Sequence, residues 1–260
     1  MTVPSPNDLF DLSGKVAVIT GGSRGLGREM GLAFAERGAN VVVASRKQEA
    51  CDATAAEITE ATGNEAVGVA CHVGRWEQCD ALVAAALDRF GHIDVLVNNA
   101  GMSPLYESLG SITEDLFDKV IGVNLKGPFR LSALAAEHMA AGRGGSIINV
   151  SSIAAVQPTM NEVPYGTAKA GLNALTLALA HAFGPTVRVN TIMPGPFLTD
   201  ISKAWDLEAF NQRAKETIPL QRGGEPGEVV GAALYLASAA SSYTTGAILK
   251  IDGGAAWSPG

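Results

Sequence analysis

The sequence predicts an α/β chain wound on both faces of one parallel sheet, and three observations lead there. Strand-length apolar runs alternate with helical stretches from end to end, the runs are continuously apolar, and no linker, repeat or low-complexity tract divides the 260 residues. A strand covered on both faces reads as an unbroken apolar run, and intervening helices imply crossovers that place cover on each side. Composition agrees, with 47% apolar and 17% charged residues. That length can bury a sizeable core. One domain over residues 1–260 is expected, since α/β sheets of this size commonly stay undivided.

Val16–Thr20 is the first predicted strand, and a helix follows from about Gly25 to Arg37, broken by Gly38 before the strand Val41–Ala44. A helix near Gln48–Ala61 leads to the strand Ala66–Cys71, and another near Trp76–Phe90 leads to Ile93–Val97. The long stretch Thr113–Ala141 is mostly helical, with Gly127-Pro128 an expected irregularity. Ser146–Val150 is the fifth strand and Tyr165–Phe183 the next helix. Val187–Ile192, a helix over Pro226–Ala237 and the strand Ala247–Ile251 complete a seven-stranded doubly wound sheet. Residues 197–220 are the least sheet-like and are expected to form a mobile flap over the cleft.

Ligands of such sheets bind beyond the carboxyl ends of the strands. Thr20, Asn98, Ser151-Ser152 and Pro194 end or follow strands and should gather along that edge. The first strand runs into Thr20-Gly21-Gly22-Ser23-Arg24-Gly25-Leu26-Gly27 and then a helix. Glycines there allow a tight turn and close approach of a pyrophosphate, which the helix amino terminus favours. Gly21, Ser23, Arg24, Gly25, Leu26 and Gly27 are the phosphate-cradle candidates of a Rossmann dinucleotide site. A glycine motif alone is weak evidence; its place after the first strand of a long β/α chain strengthens it.

The end of the second strand bears on which nucleotide fits. An acid there would bind the ribose hydroxyls of NAD and repel a 2′-phosphate. The sequence has Ala44-Ser45-Arg46-Lys47 instead. The missing acid and the cations Arg46, Lys47 and, from the turn, Arg24 favour NADP(H) over NAD(H), with Ser45 and Arg46 as cofactor contacts; NAD(H) is the alternative.

Tyr165 and Lys169 stand four residues apart, so one helix face presents both to one cleft, and Ser152 lies thirteen residues upstream of Tyr165. A free phenol titrates near pH ~10, and a neighbouring ammonium should lower that and make the tyrosine a usable general acid/base.

Taken in order, these motifs resemble the short-chain dehydrogenase/reductases of the single-domain kind. The likeness spans nearly the whole chain: the glycine turn at 20–27, Asn98-Asn99-Ala100-Gly101, Asn124, Ser152, Tyr165-x-x-x-Lys169 and Pro194-Gly195 with Thr199. The resemblance implies a cofactor-dependent oxidoreductase of a carbonyl/alcohol pair, with hydride supplied by the nicotinamide. It assigns Tyr165 as proton donor or acceptor, Ser152 as hydrogen-bond partner of the substrate oxygen, Lys169 as ribose ligand and modulator of Tyr165, and Asn124 as holder of a relay water. Asn98, Ala100 and Gly101 would line the cofactor ribose, with Pro194, Gly195 and Thr199 around its phosphate or carboxamide. Ser151 is the rival of Ser152, but strand alternation points it away. His72-Val73 stands where relatives often carry an adenine-contacting acid; His72 could stack on adenine or be a surface histidine. The resemblance also implies a homotetramer pairing the long helices and the last strand.

Pro104, Leu105, Tyr106, Val156, Gln157, Met160, Val163, Phe197, Leu198 and Trp205 are candidate pocket residues, mostly apolar. An acyl-carrier-bound 3-oxoacyl thioester is an alternative substrate, weakened by an acidic chain with scattered basics such as Arg143 and Arg188. A non-catalytic dinucleotide sensor is a second alternative, disfavoured because Tyr165 and Lys169 are both present.

Other classes are set aside. A net charge of −7 without a basic patch argues against nucleic acid. Met1–Lys15 lacks the apolar core of a signal peptide, no run is long enough to span a bilayer, and Leu172–Phe183 reads as a buried helix. Cys51, Cys71 and Cys79 form no CxxC and read as reduced thiols of a cytoplasmic protein. The Asn149-Val150-Ser151 sequon falls in a buried strand and is noise. His92, His138 and His181 show no metal-ligand spacing, so no metal is expected, and no Gly-x-Ser-x-Gly elbow supports hydrolysis.

Overall fold

In the computed structural model, which describes residues 5, 8–199 and 206–257, strands and helices alternate along the chain. The strands are β1 (Val16–Thr20), β2 (Asn40–Ser45), β3 (Ala66–Ala70), β4 (Val95–Asn98), β5 (Gly145–Val150), β6 (Val187–Pro194) and β7 (Ile248–Ile251). The helices are α1 (Gly25–Glu36), α2 (Gln48–Thr62), α3 (Trp76–Phe90), α4 (Glu114–Ile121), α5 (Gly127–Ala141), α6 (Val163–Phe183), α7 (Leu207–Thr217) and α8 (Val230–Ala237). The strands form one parallel sheet in the order β3-β2-β1-β4-β5-β6-β7. This is the predicted doubly wound Rossmann architecture. Strand order reverses between β1 and β4, and a crevice opens at the carboxyl ends there.

Alternation along the strands builds two cores. Ala17, Ile19, Val41 and Val43 face one side and pack with Phe34, Ile58 and Leu236. Val16, Val18, Val42 and Leu96 face the other and pack with Leu82, Leu131 and Met139. Because neighbouring side chains leave opposite faces, each strand must be apolar throughout, which is why the strands were legible.

Two elements differ from expectation. The stretch 113–141 is not one helix: α4 runs into a π turn at Gly122–Lys126, and α5 starts at Gly127. Gly127 N–H reaches back to the Gly122 carbonyl, and Pro128 stands in the first turn of α5. Pro128 has no N–H to offer the Asn124 carbonyl four residues back, so the ladder widens rather than closing normally. The irregularity thus sits just ahead of the predicted Gly127-Pro128 and contains Asn124. The expected flap holds α7, started by Asp206, whose carboxylate accepts the Ala209 N–H at 3.0 Å. Its Phe210 and Ala214 are buried with Ile218, and Leu198 and Ala255 pack against them.

Candidate active site

The crevice is tied together by Thr20, the last residue of β1. Its hydroxyl donates to the Val97 carbonyl at 3.2 Å and accepts from the amides of Asn99 and Ala100 at 3.0 and 3.1 Å. Asn99 Nδ2 then donates to the carbonyls of Thr20 and Gly21, at 2.9 and 3.2 Å. Gly21 and Gly25 have φ of +64° and +52°, the left-handed region open to glycine. A Cβ on Gly27 would lie 2.6 Å from Asn99 Nδ2, so only glycine fits there. Behind the turn, the Thr54 hydroxyl of α2 holds the Ser23 carbonyl at 3.3 Å. The amino terminus of α1 has no side-chain cap and no acid in its first turn. Its free amides and the close backbone approach fit a pyrophosphate. Thr199 closes over this turn, its Cβ 3.6 Å from where a Cβ of Gly25 would be.

The acid/base residues meet beside it. Ser152 caps the short turn after β5, its hydroxyl accepting the Ala154 N–H at 3.1 Å. Ser152 acts on the Tyr165 hydroxyl and favours its ionised form. Lys169, one turn along α6, is buried and donates from Nζ to the Val150 carbonyl at 2.7 Å. Its ammonium lies 5.6 Å from the centroid of the Tyr165 ring. Asn124 is fully buried; its Nδ2 donates to the carbonyls of Met102 and Val120, and its Oδ1 accepts the Met102 N–H. A Cβ on Gly101 would sit 3.0 Å from Asn124 Oδ1 and 3.6 Å from Lys169 Nζ, which places all three together. Ser151 points the other way, its buried hydroxyl donating to the Lys169 carbonyl at 3.2 Å.

The electrostatics differ from expectation in one respect. Burial pushes the Tyr165 phenol above its ordinary value, outweighing the lowering by Ser152, and Glu162 adds to the rise. Burial, Ser152 and Glu162 set the phenol's shift, with no lowering from Lys169. Instead burial lowers Lys169 itself to about 7.

Asn98 ends β4. Its side chain is 1% exposed and turned into the protein, Nδ2 donating to Ser132 Oγ and Asn149 Oδ1 at 2.9 Å each. Asn149 passes the chain on to Thr176 and Thr191. Strand alternation sends Asn98 inward and leaves Asn99 and the backbone of Ala100 at the crevice. Asn99 and Thr20 were part of the motif but were not read as site residues; their neighbouring positions at two strand ends were the available signal. Thr54 gave no such signal.

Other expected contacts fall as follows. Arg24 and Arg46 are exposed, Ser45 is half-buried with its hydroxyl 3.1 Å from Cys51 Sγ, and Leu26 packs on the core. The His72 ring is half-buried and accepts the Gly74 N–H at 3.2 Å, while Val73 is buried. Pro194 ends β6, and Gly195 lies so close to Asp252 that a Cβ would come within 2.8 Å. Pro104 and Tyr106 border a small hollow that Tyr165 also lines. Leu105, Val156, Gln157, Met160 and Val163 are exposed. Phe197 is core and Leu198 packs on α7. Trp205 lies outside the described residues. Among the described residues no group of His, Cys, Asp and Glu could hold a metal, and no helix is long and apolar enough to cross a membrane.

A dinucleotide-type crevice flanked by a hydroxyl pair and a buried lysine defines an oxidoreductase acting on CH–OH groups. The chain belongs to the short-chain dehydrogenase/reductase family, whose members bind NAD(P). A family model described as enoyl-(acyl carrier protein) reductase matches residues 21–256. Dehydrogenase/reductase SDR family member 4 of Homo sapiens is 37% identical over 245 residues, covering 94% of this chain and 88% of the relative. L-rhamnose 1-dehydrogenase (NAD(P)(+)) of Azotobacter vinelandii is 39% identical over 247 residues, covering 92% and 96%. Among solved structures, the NADPH-dependent 3-quinuclidinone reductase of Rhodotorula rubra superimposes with a TM-score of 0.92 at 32% identity, covering 98% of this chain and 96% of that one.

Proposed function

We propose that this chain is an NADP(H)-dependent oxidoreductase that interconverts a ketone and a secondary alcohol, with Tyr165 as general acid/base. The observation that carries the reading is Tyr165 one helical turn from a buried Lys169, whose Nζ lies 5.6 Å from the phenol ring and within reach of Gly101 and Asn124, with Ser152 acting on the hydroxyl. A phenol held high by burial keeps its proton, which suits donation to a substrate oxygen. Ser152 donates a second hydrogen bond to that oxygen and steadies charge as it develops. Lys169, lowered to about 7, can gain or lose a proton near neutrality and hold a ribose hydroxyl. Asn124 has its amide committed to Met102 and Val120, so its carbonyl, left by Pro128 without the usual donor, is the group available for a relay water. A nicotinamide dinucleotide bound along the crevice supplies or accepts the hydride.

The NADP(H) preference is supported by Arg24 and Arg46, both exposed, and by the missing acid at the end of β2. NAD(H) use stays possible, as the rhamnose dehydrogenase relative is named for both. The chain acts as one domain in the cytoplasm, on a small carbonyl or alcohol, without nucleic acid or membrane. A homotetramer is supported by an apolar groove of about 430 Å³ between α5 and α6, lined by Leu125, Phe129, Gly171 and Leu175. That groove holds none of the acid/base residues, so it suits subunit packing better than catalysis. Light scattering tests the assembly.

A panel of ketones and alcohols with NADPH, NADH and their oxidised forms, followed by nicotinamide absorbance, tests the function. Turnover of at least one ketone is expected, with NADPH preferred; binding of dinucleotide with no turnover would favour the sensor reading. A 3-oxoacyl thioester belongs in the panel because the matching family model is named for acyl carrier protein chemistry.

A further inference from the structure

We infer that Tyr106 is a positioning residue that clasps the two walls of the substrate mouth and sets the start of α6, so that it governs discrimination by substrate size. The reading rests on the proposed ketone chemistry for its substrate arm only. Tyr106 lies in the loop after β4, and its hydroxyl reaches across to the segment between β5 and α6. There it donates to the Met160 carbonyl at 2.8 Å and accepts the Val163 N–H at 2.9 Å.

Val163 opens α6, and its N–H has no partner within the helix. The preceding Glu162 gives no side-chain cap, and Pro164 has no N–H to satisfy. Tyr106 thus does from another loop what a capping residue does locally. Tyr165 follows Val163 by two positions, so a clasp on Val163 also fixes where the phenol stands. Tyr106 and Tyr165 line the same small hollow, with Pro104 and Glu162. The joined segments carry Leu105 and Met160, which are 90% and 73% exposed. Such apolar side chains would otherwise fold inward or spread, and the clasp holds their separation.

Tyr106→Phe keeps the ring and removes both hydrogen bonds. Amide hydrogen exchange of the protein alone should then quicken about tenfold at Val163, the loss of roughly one hydrogen bond. With NADPH, KM for a bulky aryl ketone should rise roughly three- to tenfold, with kcat within about twofold, KM for a small aliphatic ketone little changed and NADPH affinity unaltered. Unchanged exchange at Val163 would overturn the clasp. Faster exchange with both KM values unmoved, or both moved equally, would overturn its role in discrimination. If the unsubstituted protein turns over no ketone, the oxidoreductase proposal fails, while exchange still decides the clasp.

Discussion

The Lys169 ammonium lies over the face of the Tyr165 ring, 5.6 Å from its centroid, while its hydrogen bond goes to the Val150 carbonyl. Ring and ammonium meet as a cation over a π face, and the phenol oxygen is left to Ser152. Phenol and cation are therefore adjacent, with no hydrogen bond between them.

Removing the phenol oxygen should remove the chemistry and little else. Tyr165→Phe is expected to lower kcat by roughly a thousandfold, within the range for loss of a general acid. NADPH affinity, read by fluorescence titration, should move less than about threefold. Turnover near that of the unsubstituted enzyme would show that another group donates the proton.

Gly27→Ala should weaken cofactor binding before it unfolds the chain. The new methyl would meet Asn99 Nδ2 at 2.6 Å and push the turn away from its brace. Overpacking of this kind costs about 1–3 kcal/mol, so NADPH affinity should fall roughly tenfold or more. An unchanged dissociation constant by calorimetry would contradict the cradle.

Arg46→Ala should shift preference toward NADH. A hydrogen bond to a charged group contributes about 1.5–3 kcal/mol, so the NADPH-to-NADH ratio of kcat/KM should drop roughly ten- to a hundredfold. NADH constants should hardly move. A parallel loss for both cofactors would mean that Arg46 does not read the 2′-phosphate.

Stability should rise with pH through Lys169. Burial lowers this lysine from 10.5 to about 7 in the folded protein. Between those values the unfolded chain holds a proton that the folded chain has released, so raising pH favours folding; below about 7 both states are protonated and the effect is flat. Lys169→Met should abolish this rise. Urea midpoints measured from about pH 7 to pH 9 for both proteins would test it; parallel pH dependence would sink the assignment.

Much of this was legible because the physics is local. Strands such as Val16–Thr20 are buried on both faces and must be apolar throughout. Tyr165 and Lys169 declare a shared face by spacing alone, and the glycines of the turn declare close approach. What was not legible depends on neighbours distant in sequence. Whether Asn98 or Asn99 faces the crevice turns on where β4 ends. The direction of the Tyr165 shift turns on how deeply tertiary packing buries the phenol. Helix α7 carries mostly charged and polar residues, so its sparse apolar stripe of Phe210 and Ala214, with Ile218 just past its end, is a weak signal within the expected flap. Its signal was the Asp206 cap.

The wide turn at Gly122–Lys126 sets the rotational phase of everything after it. A regular helix advances about 100° per residue, so deleting one residue there would swing Phe129 and the rest of α5 by that angle. The groove it shares with α6 would be scrambled, and Asn124 would lose its hold on Met102. The apolar groove and the Asn124 contact are therefore geared to the same extra residue, and neither can drift in sequence without dragging the other.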